Sequence, residues 1–146
     1  MKRSLVGLTA LILAFTSFPS YAFKQKDLKK LQETRQCPRC DLRNADLRGL
    51  FLQQANLRRA NLAGADLNGV DLTGAFLYQA NLSRADLRNA DLSNVNLFGA
   101  QLEGAQLAHA NVDQRTILDD RWRLVWELVT HGLGEHDLRG VDLQGA

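Results

Sequence analysis

From Cys40 to Gln114 one apolar residue returns at every fifth position, with polar residues filling most of the space between. The centres are Leu42, Leu47, Leu52, Leu57, Leu62, Leu67, Leu72, Leu77, Leu82, Leu87, Leu92, Leu97, Leu102, Leu107 and Val112. Two positions before each centre lies a small or apolar residue, usually Ala. One position before it lies Asp, Asn or Gln in thirteen of the fifteen units. An α-helix would turn about 140° beyond a full circle in five residues, so the leucines would spiral around it. In a flat strand an odd period would throw successive leucines to opposite faces. Within one unit, however, the small residue and the leucine are two apart and share a side. If the chain bends before the next pair, every pair faces one axis. The pattern therefore predicts an all-β solenoid with an Ala/Leu interior. Glycine two places after a centre, as at Gly64 and Gly99, supplies left-handed backbone at some corners. Asp or Asn before the centre can accept from nearby amides at the bend.

These units resemble those of the pentapeptide-repeat family, which read A(D/N)LxX. The resemblance implies a right-handed quadrilateral parallel β-helix with four units to a coil, so fifteen units make nearly four coils. Leu50 takes an alanine slot, and Phe51 and Phe76 take Asp/Asn slots. A lone coil cannot offset the entropy of ordering its residues, so stacking must carry the fold and both ends need covers.

The covers are predicted as a short N-terminal capping helix and one inserted helix near the C-terminus. Asp27 is placed to cap a helix from Leu28 to Thr34 that covers the first coil with Leu28 and Leu31. Beyond Val112 the pattern stops until Leu138, a gap of 26 residues, one more than five units. Asp120 can cap a helix from about Arg121 to His131, closed by Gly132. Trp122, Val125, Trp126 and Val129 form its apolar stripe, widened by Leu124 and Leu128. The expected organisation is a signal peptide at 1–22, a helical cap at 23–36, repeats at 37–114, a helical insertion at 115–136 and resumed repeats at 137–146. The unit begun at Ala146 leaves an open rim, which suggests a homodimer formed tail to tail.

Lys2 and Arg3 precede an apolar run from Leu5 to Phe15, and Ser20-Tyr21-Ala22 offers a cleavage site before Phe23. The run is too short to span a bilayer. Export to a periplasm or an equivalent lumen follows, with no membrane contact expected after cleavage. Cys37-Pro38-Arg39-Cys40 then reads as a candidate structural disulfide in an oxidising compartment, or Cys40 simply fills an alanine slot. A thioredoxin-type motif would lead from a strand into a helix; here the order is reversed. Thr34-Arg35-Gln36-Cys37 running into Cys40-Asp41-Leu42 is similar to exported cyanobacterial pentapeptide-repeat proteins, a resemblance that implies a periplasmic or thylakoid-lumen location.

Twenty-residue coils would stack Arg58, Tyr78, Phe98 and Leu118 in one outward column beside Phe76. Two readings stand: the inserted helix folds back and buries Tyr78 and Phe98, or both surfaces bind another protein. The first is preferred.

Residues 23–39 carry six basic and two acidic groups, whereas 10 basic and 14 acidic groups follow from Cys40 onward. Neither a basic nucleic-acid stripe nor a strongly acidic DNA mimic results, so no nucleic acid partner is expected. There is no Ser/His/Asp or Cys/His arrangement and no phosphate-cradling loop. His109, His131 and His136 show no zinc spacing. The expectation is a non-enzymatic structural or protein-interaction module without a cofactor, its protein partner unknown. The alternatives are a DNA-mimic binder that protects gyrase, a type II topoisomerase, and an envelope or membrane-surface binder led by Lys24, Lys26, Lys29 and Lys30.

Overall fold

The computed structural model describes residues 25–132. The expected signal peptide and the resumed repeats at 137–146 lie outside them. Helix α1 spans Gln25–Thr34 and helix α2 spans Asp120–His131. Between them the chain makes single-residue parallel bridges rather than extended strands. Gln36 pairs with Asn56, Asp41 with Asn61, Asp46 with Asp66 and Phe51 with Asp71, and each pairing continues up the stack. The register is twenty residues, so four units close one coil. We call the sides that begin at Gln36, Asp41, Asp46 and Phe51 sides I to IV.

Each unit turns for the same reason. In the second one the Ala45 N–H donates to the Leu42 carbonyl at 3.1 Å, and Asn44 between them has φ +57°. Positive φ at the third residue is the type II pattern that usually demands glycine. Here Arg39, Gln54, Arg59 and His109 adopt it as well as Gly64 and Gly99. Left-handed backbone is thus the rule at the corners, not an occasional need. Where Asp or Asn precedes the centre, its side chain holds the bend: Asp71 Oδ1 accepts from the Thr73 N–H at 2.9 Å, and Asn81 Oδ1 from Ser83 N–H at 3.0 Å. Centres from Leu42 to Leu107 are buried, with alanines between them, and Val112 is half-buried at the end of the stack.

The ladder is longer than the repeat pattern at both ends. Cys37 occupies a centre one unit early, its N–H donating to the Asn56 carbonyl at 2.8 Å. At the far end Asn96 pairs with Ile117, a register of 21 residues that absorbs one added residue after Asn111. Thr116 fills the alanine slot and is 3% exposed. Its hydroxyl lies 2.8 Å from the Leu92 carbonyl and 2.9 Å from Asp113 Oδ1. Leu118 is the buried centre of this last unit.

Both helices cover ends. In α1, Leu28 and Leu31 are buried against the first coil. Asp27 sits inside the helix rather than capping it, and its carboxylate accepts from the Asp41 N–H at 2.9 Å. In α2, Asp119 rather than Asp120 is the N-cap residue, without a side-chain cap bond, and the Gly132 N–H closes the helix on the Leu128 carbonyl at 3.0 Å. Trp122 is buried in the core, with Val125 and Trp126 packed against it. The described end of the coil is therefore covered; the rim expected at Ala146 lies outside the described residues.

Candidate interaction surface

Side I carries the aromatic column. Its bridge positions run Gln36, Asn56, Phe76, Asn96 and Ile117. The residues after its centres run Pro38, Arg58, Tyr78 and Phe98. Tyr78 and Phe98 have ring centroids 6.0 Å apart and planes only 10° from parallel, and the Arg58 guanidinium lies 4.5 Å from the Phe76 centroid. Phe98 is 54% exposed, and Phe76 and Ile117 are also open to solvent.

Two expectations are corrected. Leu118 does not stack above Phe98: the added residue shifts it inward to a core centre and puts Asp119 after it. Nor does α2 lie on the column. Its anchors are on the end of the coil, where the Trp126 indole N–H donates to Ala110 O at 2.7 Å and Arg123 donates to Thr116 O at 2.7 Å. Of the expected surface, Arg58, Phe76, Tyr78 and Phe98 are brought together. Trp122, Val125 and Trp126 face the coil end instead, and Val129 is half exposed at the far part of α2.

Charge separates the sides. On side III, Arg48 meets Asp46 at 2.8 Å and Asp66 at 3.1 Å, and Arg88 meets Asp86 at 2.6 Å. Hydrogen bonds from the Arg48 side chain hold Asp46 down at about 2, and those from Arg88 do the same for Asp86. On side II, Arg43 likewise meets Asp41 at 2.8 Å. Side I differs: between Gln36 and Gly99 none of its outward positions is acidic, while Arg39, Arg58 and Arg59 all stand there. Arg59 donates to the neutral Gln79 amide oxygen at 2.9 Å. With Pro38, Asn56 and Tyr78 these arginines line an open depression of about 400 Å³. Arg39 and Arg59 were missed in the sequence, although their twenty-residue spacing on a side without acids was a readable signal.

Cys37 and Cys40 are joined by a disulfide where α1 meets the coil. Among the described residues no group of His, Cys, Asp or Glu is arranged to hold a metal ion, and no helix is long and apolar enough to cross a membrane.

A family model described as pentapeptide repeats matches residues 40–79 and 77–114. Among solved structures, a pentapeptide repeat protein from the cyanobacterium Cyanothece is 36% identical, with a TM-score of 0.36. That match covers 53% of this chain and 56% of the other, so the chain spans little more than half of that relative. One from the Arabidopsis thaliana thylakoid lumen is 34% identical over 60% of this chain and 68% of that one, with a TM-score of 0.49. A plasmid-mediated fluoroquinolone resistance protein is 22% identical over 75% of this chain and 63% of that one, with a TM-score of 0.35. No curated protein matches the chain.

Proposed function

The chain belongs to the pentapeptide-repeat family, and on that premise we propose a non-catalytic protein-interaction module working in an exported compartment. In this reading the coil is the right-handed quadrilateral β-helix that the resemblance implies. Its rigid sides hold side chains in fixed columns, and side I presents one column to a protein partner. The carrying observation is the Tyr78–Phe98 stack, Phe98 exposed and Tyr78 half-buried, beside Arg58 and Phe76. Stacked aromatics flanked by arginine are what protein interfaces use as anchors, because they lose little conformational freedom on binding. Export is supported by the leader-like first 22 residues and by the disulfide.

A gyrase-protecting DNA mimic would need an acidic rod. Side III has its carboxylates matched by Arg48 and Arg88, and side I is basic, which argues against that reading. The envelope-binding reading leans on Lys26, Lys29 and Lys30 of α1, of which Lys29 already pairs with Glu33 at 3.8 Å.

A photo-cross-linking amino acid placed at Phe98, in the full chain expressed in its own cell, tests the proposal. Discrete adducts from position 98 and none from Ser93, on side IV, are expected. Equal or absent labelling at both positions would refute it.

A further inference from the structure

We infer that side I binds an acidic segment of another protein, with carboxylates at Arg39, Arg58 and Arg59 and an apolar side chain across Phe76 and Phe98. The inference rests on the proposed reading of side I and adds the chemistry of the partner.

Pairing habits elsewhere on the molecule carry it. Arg43, Arg48, Arg88, Arg115 and Arg121 each meet a carboxylate within 3.3 Å. Among the described residues Arg35 and Arg84 also lack such a pair, but only Arg39, Arg58 and Arg59 do so around one depression. The backbone fixes their spacing, since the Arg39 N–H donates to the Arg58 carbonyl and the Arg59 N–H to the Tyr78 carbonyl, each at 2.9 Å. Guanidiniums in two adjacent layers, Arg39 in one and Arg58 with Arg59 in the next, present planar forks to carboxylates spaced along an extended chain. A second copy is the competing occupant, because side IV offers Asp71 and Asp91. Those carboxylates already accept from Thr73, Gln53 and Ser93, so a foreign acidic segment is favoured.

The test uses the mature chain and a synthetic peptide of alternating glutamate and phenylalanine. Its controls are the glutamine counterpart, inorganic phosphate and phosphatidylglycerol vesicles. Arginine Nε–H resonances are followed by NMR, with Arg48 and Arg88 as internal references. The expected result is shifts confined to Arg39, Arg58 and Arg59, and binding that weakens as salt is added. Both the glutamine peptide and the R58Q/R59Q variant should bind about tenfold more weakly or worse. A dispersed spectrum from the variant shows that it is folded, and its two changes point away from the core. Equal saturation by phosphate, retention on the vesicles, or Arg58-dependent self-association without peptide would each overturn the inference. So would no binding at all. If the peptide fails while the adducts from position 98 persist, the partner's chemistry is wrong and the interface reading stands; loss of both removes both.

Discussion

The Trp126 indole N–H donates to the Ala110 carbonyl, which no backbone N–H of the described coil reaches. One layer below, the equivalent Ala90 carbonyl accepts from Asn111 N–H at 2.9 Å, and Val70 from Asp91. Arg123 serves the Thr116 carbonyl in the same way, where Val95 below accepts from Ile117 N–H. At the other end the Asp27 carboxylate takes the Asp41 N–H, whose counterpart Asn61 donates to Cys40. The helices therefore satisfy backbone groups that a further coil would have satisfied, and this blunts both edges.

Replacing Trp126 with Phe should expose that role. It keeps an apolar ring but removes the donor, so unfolding in urea should show a loss of about 0.5–1.5 kcal/mol. Val129→Ala, on the half-exposed end of α2, should change far less. Equal losses would mean that the indole bond contributes nothing.

Truncating a mid-stack centre should be severe. Leu77→Ala removes a fully buried side chain between Leu57 and Leu97 and should cost about 2–5 kcal/mol by thermal unfolding. Leu118→Ala, at the end of the stack, should cost less because that layer has α2 and solvent on one side.

The left-handed corners predict a stabilising change. Gln54 has φ +56° and Arg59 has φ +57°, a conformation unfavourable for residues with a Cβ. Gln54→Gly should raise stability by about 0.5–1 kcal/mol once the greater entropy of unfolded glycine is deducted. A fall in melting temperature would contradict the corner assignment.

Acid should weaken side III. Asp46 and Asp86 sit at about 2 in the folded chain, below the ordinary 3.8. Their contribution is complete above the unfolded value and disappears as pH falls through 3.8 toward 2. The D46N/D86N variant should show a flatter loss of stability between those limits. Because Asp46 is largely exposed and Asp86 sits near the surface, the effect will be modest and will shrink in salt. An unchanged slope would refute the assignment.

The compartment has a direct check. Intact mass of the protein from the producing cell should place its first residue at Phe23, and thiol titration should find neither Cys37 nor Cys40 free. An uncleaved chain with two thiols would remove the export reading.

The interior was legible in the sequence because each leucine and each alanine has one packing solution once the chain turns every five residues. The ends were not. Cys37 and Leu118 are centres that break the A-x-L spelling, and one residue added after Asn111 turns what looks like an outward Leu118 into a core residue. The stripe of α2 was readable as apolar, but periodicity says nothing about which surface it covers. The coil end won over the aromatic column because it offers bare carbonyls as well as apolar area. Asp27 looked like a helix cap and serves the neighbouring coil instead, since a carboxylate answers whichever amide lies nearest.

Four units to a coil also restrict how such a gene can lengthen. Duplicating one unit between Gln79 and Phe98 would carry Phe98 a quarter turn away from Tyr78, splitting the aromatic stack while leaving the interior intact. Only whole coils, added or lost together, leave Arg58, Tyr78 and Phe98 in a single file. Length changes between Arg58 and Phe98 that keep this file must therefore come in steps of twenty residues, sixty nucleotides of gene, or multiples of that.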